Sequence, residues 1–243
     1  PDEKIVNACV HNLNWTHFRC LLRVTDENAR LWYMSIRMSC PNEVEYKILG
    51  EITRWIIMKD SLFIRGKVPM TKAEVRAVSI SKLELPPDAV VYDVGAGTGS
   101  VTIEMALRLP QGTVYAIERN SDAVDLLHQN CEKFSVSNVK IVPGLAQEVF
   151  AGLPAATHAF LGGTGGHVEE ILRQLLSQNP HMRIVINVIA LESLQAVCQT
   201  LKKMEIEPEI VCMQVSRAEK AGPYHLMKGE NPVYILSFGG MEV

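Results

Sequence analysis

The chain has 243 residues, 47% hydrophobic and 21% charged, and its 24 Lys and Arg against 27 Asp and Glu leave a net charge of −3. That profile describes a globular protein with apolar surface for one large domain, or one ordinary domain with an appendage. It excludes disordered, fibrous and disulfide-stapled classes. No apolar run reaches the roughly 18 residues of a membrane-spanning helix, and Pro1-Asp-Glu-Lys4 is not the start of a secretion signal. The acidic balance disfavours nucleic acid, whose binders are usually basic. Six cysteines, at 9, 20, 40, 131, 198 and 212, show no paired spacing, so reduced thiols in a cytoplasmic protein are expected. The chain does not begin with Met, which fits a piece of something longer.

Composition divides the sequence near residue 60. All three tryptophans (Trp15, Trp32, Trp55) lie before it, and that segment carries no clean period. Residues 1–60 are therefore read as an appendage of unknown role, and 61–243 as the main domain. Cys9-x-His11 and His17-x-x-Cys20 raise a zinc site, but they lack a recognised finger spacing and no metal is expected.

After residue 60 the pattern becomes regular. Lys72 to Leu83 predicts a helix, and Ala89 to Val94 a short apolar strand that runs into glycines. Thr113 to Glu118 predicts a second strand; Ser121 then caps a helix whose Val124, Leu127, Cys131 and Phe134 share one face. Further strands are expected at Val139 to Val142, His158 to Leu161 and Arg183 to Ile189. Helices are expected around Val168, Ile171, Leu172 and Leu175, and around Leu191, Leu194, Cys198 and Leu201. This alternation predicts an α/β domain with a mostly parallel sheet covered on both faces. Ile210 to Val215 and Val233 to Phe238 follow with no helix between them, which predicts an antiparallel last pair.

Asp93-Val-Gly95-Ala96-Gly97-Thr98-Gly99-Ser100 sits where the first strand meets the next helix, the position at which open parallel sheets bind ligands. A phosphate loop would need Gly-Lys-Ser/Thr, and a dinucleotide fingerprint would need glycine where Ser100 stands. The Asp-x-Gly-x-Gly-x-Gly loop of S-adenosylmethionine-dependent methyltransferases fits at every position. Glu118, 19 residues after Gly99, is placed to accept hydrogen bonds from ribose hydroxyls. Gly144-Leu145-Ala146 follows the third strand, where an adenine would lie. A second glycine turn, Gly162-Gly163-Thr164-Gly165-Gly166, ends the fourth strand and leaves room for backbone to approach a bulky flat substrate.

Taken in order, Val68-Pro-Met-Thr71-Lys-Ala-Glu-Val-Arg76, the Asp93–Gly99 loop, Tyr115-Ala-Ile-Glu118, the Gly162–Gly166 turn, Ile189-Ala-Leu-Glu192 and Asn231-Pro-Val233 resemble one family. It is that of the decarboxylating precorrin and cobalt-precorrin C15-methyltransferases of cobalamin biosynthesis, also found as the C-terminal half of precorrin-6Y C5,15-methyltransferase. The resemblance covers residues 60–243. It implies the class I (Rossmann-like) methyltransferase fold, a homotetramer, and methylation of a tetrapyrrole at C15 with loss of the C12 acetate carboxyl. Carried onto matching positions, Thr71, Asp93, the Gly95–Gly99 backbone, Glu118 and Ala146 would hold the cofactor. Gly163, Thr164 and Gly165 would face the transferred methyl group, and Glu192 is a candidate to handle a proton. Relatives often carry Asp where Leu145 stands, which removes one side-chain partner for an adenine amine.

Methyl transfer from a sulfonium is an in-line displacement that depends on alignment and exclusion of water more than on acid–base help. The sequence offers no Ser/His/Asp or Cys/His set. A polycarboxylate substrate needs cations at the mouth of the site. Arg65, Lys67, Lys72, Arg76, Arg217, Lys220 and Lys228 flank the matching motifs, and of these Arg65, Lys72, Arg76 and Arg217 are taken as the substrate-binding candidates. Two rival readings stay open, a nucleic-acid methyltransferase and a non-catalytic module that binds S-adenosylmethionine. Asn231-Pro-Val-Tyr234 resembles an element of amino-methylating enzymes, but on the last strand it is expected to lie away from the methyl group.

Overall fold

The computed structural model describes residues 58–240. The three tryptophans and the Cys/His pairs of the tail lie outside the described residues. Within them no helix is long and apolar enough to cross a membrane.

Helix α1 (Ala73–Leu83) precedes an alternating series: β1 (Val90–Val94), α2 (Ser100–Arg108), β2 (Thr113–Glu118), α3 (Ser121–Lys133) and β3 (Val139–Pro143). A short α4 (Ala146–Val149) leads to β4 (His158–Leu161), α5 (Val168–Gln178), β5 (Arg183–Val188) and α6 (Leu191–Lys203). Four strands close the chain: β6 (Glu209–Met213), β7 (Ser216–Ala221), β8 (Tyr224–Gly229) and β9 (Val233–Phe238).

Seven strands form one sheet in the order β3-β2-β1-β4-β5-β9-β6. The first five pair in parallel, and β9 runs antiparallel to both of its neighbours. The expected mostly parallel sheet with an antiparallel last strand is present. Its central strands β1, β4 and β5 are buried on both faces because helices cover both, whereas the edge strands β3 and β6 are partly exposed. Alternate residues of β1 serve opposite sides: Val91 packs with Phe160, Val185 and Ile235, Tyr92 with Leu161, Ile184 and Leu236. Helix α5 buries Val168, Ile171, Leu172 and Leu175 against the second set, the face its spacing predicts.

Two local expectations change. Asn120, not Ser121, caps α3, its side chain accepting from the Ala123 amide at 3.2 Å; Ser121 is the first helical residue. Between β6 and β9 the chain forms an antiparallel hairpin, β7–β8, absent from the sequence reading. Every one of its residues is exposed, so it has no buried face to give an apolar alternation.

Strand order reverses between β1 and β4, and the loops that leave their carboxyl ends diverge there. That divergence opens the crevice in which such sheets hold ligands.

Candidate active site

A cavity of about 1070 Å³ opens at this carboxyl edge. Both glycine turns border it, together with the 68–72 segment, the ends of β2 and β5, and the loop before β9.

The first turn is held against the sheet by the amides of Gly95 and Ala96, which both donate to the Ile117 carbonyl at 3.0 and 3.2 Å. Gly95, Gly97 and Gly99 all have positive φ, a conformation that side chains disfavour. A Cβ on Gly95 would fall 2.7 Å from the Gly163 carbonyl oxygen, so the two glycine turns press backbone on backbone. The Gly162 and Gly163 amides donate to the Val94 carbonyl at 2.9 and 3.2 Å and stitch the second turn to the end of β1. Gly163 itself meets nothing within 4 Å on its open side.

Glu118 ends β2 with its carboxylate fixed by two amides, from Gly97 at 2.9 Å and Asn120 at 2.8 Å. Asp93 is fully buried under the loop, where the Thr102 hydroxyl donates to one of its oxygens. The other oxygen, like the hydroxyl of Thr98, has no hydrogen-bond partner. Burial pushes the Asp93 carboxyl up to about 7; the Thr102 hydrogen bond opposes this and the charge of Glu118 adds to it.

Thr71, Asp93, Gly95, Ala96, Gly97, Thr98, Glu118 and Ala146 all line the cavity, as do Lys72, Gly163, Thr164 and Gly165. The structure brings together residues that lie as far as 94 positions apart in sequence, from Thr71 to Gly165.

Other candidates fall elsewhere. Gly99 is not a cavity residue: a Cβ there would strike Leu127 Cδ1 at 2.2 Å, so its glycine serves close packing of the α2 start on α3. Arg76 is not a mouth cation but a core one, 0% exposed. Its guanidinium donates to Glu104, to Asp60 at 3.1 Å, to the Thr71 carbonyl at 2.6 Å and to the Met58 carbonyl. These bonds carry the folded unit back across the expected boundary to at least Met58. Arg217 lies on the exposed hairpin, engaged by Glu74 and Glu230. Neither Arg217 nor exposed Arg65 lines the cavity. Glu192 is exposed in the first turn of α6; Ser193 lines the cavity in its place, because consecutive helical side chains point about 100° apart.

Asn231 does line the cavity, against expectation. Since β9 runs antiparallel between β5 and β6, the loop before it arrives at the carboxyl edge of the parallel strands.

Two further residues escaped the sequence reading. Asn187, near the end of β5, donates its amide to the Ser79 hydroxyl at 2.8 Å, while that hydroxyl donates to the Val75 carbonyl. A polar residue closing the apolar run Ile184-Val-Ile186 was the available signal. Arg119, next to Glu118, is exposed and borders the cavity. Among the described residues no group of three or more His, Cys, Asp or Glu is placed to hold a metal ion.

A family model for the precorrin methyltransferase domain matches residues 62–238. The chain is 42% identical over 181 residues to a probable cobalt-precorrin-6B C(15)-methyltransferase (decarboxylating) of Pyrobaculum calidifontis, covering 73% of this chain and 93% of the relative. A crystal structure of precorrin-6Y C5,15-methyltransferase from Geobacter metallireducens superposes with a TM-score of 0.70 at 36% identity, covering 75% of this chain and 95% of that one. A precorrin 8W decarboxylase from Methanobacterium thermoautotrophicum also gives 0.70, at 32% identity, over 75% of this chain and 99% of that one.

Proposed function

The chain belongs to the precorrin methyltransferase family, and from that premise we propose that it methylates C15 of a precorrin tetrapyrrole in cobalamin biosynthesis, with loss of the C12 acetate carboxyl as carbon dioxide. S-adenosylmethionine is the methyl donor in this reading. The observation that carries it is the contact of Gly95 with Gly163, which sets the cofactor loop and the substrate turn on one cavity.

The residues present fit that cofactor. Glu118 offers a carboxylate already oriented by two amides, with lone pairs left for two ribose hydroxyls. Ala146 is buried and small beside the half-buried Leu145, an apolar wall suited to an adenine ring. Asp93 and Thr98 leave unpaired polar atoms beneath the loop, and the Gly95–Thr98 backbone on the cavity admits close approach. When bound, the sulfonium supplies an electrophilic methyl group.

The protein's own part is alignment. Arg76 fixes the Thr71 carbonyl, and Thr71 and Lys72 close one side of the cavity. Gly163, Thr164 and Gly165 form the surface toward which a flat macrocycle would lie, since a side chain at Gly163 would occupy that space. Asn187 and Asn231 offer hydrogen bonds at the far wall, where Ile189, Met213, Val215 and Val233 present apolar surface to a ring. Holding the acceptor carbon in line with the methyl group and excluding water accounts for rate without a nucleophilic side chain.

The reading extends to assembly as a homotetramer in the cytoplasm. Tyr224 and Leu226 on one face of the β7–β8 hairpin are 71% and 60% exposed and Met227 on the other face is 68% exposed, apolar side chains suited to burial between copies. Light scattering on the purified chain tests this.

Calorimetry tests the cofactor assignment. S-adenosylmethionine and S-adenosylhomocysteine should bind, and NAD and ATP should not. Tight NAD binding with no response to either adenosyl compound would overturn it.

A further inference from the structure

Arg119 is the candidate that neither the sequence reading nor the fold has used. It stands one residue after Glu118, is exposed, and lines the cavity. Within the described residues its guanidinium makes no ion pair or hydrogen bond. The group lies against Gly165, with Nη1, Cζ and Nη2 at 3.6, 3.7 and 3.8 Å from the position a Cβ would take there. Three nearly equal distances mean that its plane faces the turn. Gly165, at φ +56, presents only backbone to it.

Direction matters as much as distance. In the strand order β3-β2-β1-β4, Arg119 leaves the end of β2 and reaches the turn after β4. It therefore extends away from β3, whose following loop carries Leu145 and Ala146, the wall suited to adenine. Its charge is delivered to the methyl-transfer side of the cavity. The competing cations are spent, Arg76 in the core and Arg217 on two carboxylates. Lys72 and Arg119 are the Lys and Arg residues that border the cavity among the described residues.

We propose that Arg119 is a specificity-determining residue that pairs with a peripheral carboxylate of the tetrapyrrole and so sets its register over the Gly163–Gly165 turn. A planar guanidinium with five donors suits a bidentate carboxylate pair, and lying on Gly165, which carries no side chain, it can rotate to meet one. This rests on the tetrapyrrole reading above, so the experiment separates the two.

Uroporphyrin, an octacarboxylate tetrapyrrole, serves as the probe. Its binding to the S-adenosylhomocysteine-loaded protein is followed by fluorescence, alongside calorimetry for S-adenosylhomocysteine. Arg119→Gln should weaken uroporphyrin about tenfold and leave S-adenosylhomocysteine within about twofold. Arg119→Lys should recover part of the loss, and Arg217→Gln should change neither. Equal uroporphyrin affinity in wild type and Arg119→Gln overturns the assignment while leaving the tetrapyrrole reading standing. A loss confined to S-adenosylhomocysteine overturns it in favour of a stacking contact with the adenosyl group. No uroporphyrin binding by wild type, with S-adenosylhomocysteine bound normally, overturns both.

Discussion

Gly95 and Gly163 approach so closely that a Cβ on Gly95 would lie 2.7 Å from the Gly163 carbonyl oxygen and 2.8 Å from its nitrogen. Backbone, unlike a flexible side chain, cannot swing aside, and Gly95 also sits at φ +75. The two glycines therefore respond differently to the same change. Gly95→Ala should separate the turns and weaken S-adenosylhomocysteine at least tenfold. Gly163→Ala has open space around it, so it should fold and bind cofactor normally yet raise the KM for the tetrapyrrole. Parallel calorimetry and steady-state kinetics check the contrast.

Glu118→Ala removes the acceptor proposed for the ribose and frees the Gly97 and Asn120 amides it holds. Cofactor binding should weaken by about 1 to 3 kcal/mol, the range for leaving polar partners unsatisfied. Glu118→Gln should recover part of this, since its amide oxygen still accepts.

Asp93 gives a pH signature. Its carboxyl titrates near 3.8 when unfolded and near 7 in the folded chain. Between those values the folded state keeps a proton that the unfolded state has lost, so this group's contribution to stability falls as pH rises from about 4 to about 7 and is level above that. The gap corresponds to roughly 4 kcal/mol at most. His158 works in the opposite sense: burial, with Arg183 nearby, lowers it to about 4, so its contribution falls as pH drops below the ordinary 6.5. Thermal unfolding of wild type and Asp93→Asn across this range isolates the first effect. The wild type should lose ground relative to the variant with rising pH; parallel curves would remove the buried proton from the account.

Arg76→Met should strip buried Glu104 of its closer cation, leaving only Arg108 at 3.7 Å, and cost about 3 kcal/mol of stability. Asp60→Asn, at the partly exposed edge of the cluster, should cost far less. A chain cut at Ser61 loses both Asp60 and the Met58 carbonyl, so it should melt below one that retains them. Calorimetric melting temperatures of these forms order the series.

Much of this site is legible from local spacing. The glycines of both turns, Glu118 and the strand–helix alternation each follow from a short run of residues, and the sheet brings the runs together. Arg76 was misplaced because its charge outweighed its position: 76, 79, 80 and 83 are the helical face that α1 buries. The β7–β8 hairpin escaped because neither face is buried, leaving Gly222-Pro223 as its only local mark. Asn231 escaped because its placement depends on β9 inserting between β5 and β6, a pairing that no local pattern encodes.

The most direct measurement is turnover with S-adenosylmethionine carrying a labelled methyl group and a precorrin-6B-type tetrapyrrole, followed by mass spectrometry and carbon dioxide release. One labelled methyl should appear at C15 as one carbon dioxide is lost, and the product should form at no other ring position. An unchanged tetrapyrrole, with labelled methyl found instead in tRNA or DNA offered alongside, would contradict the proposed function.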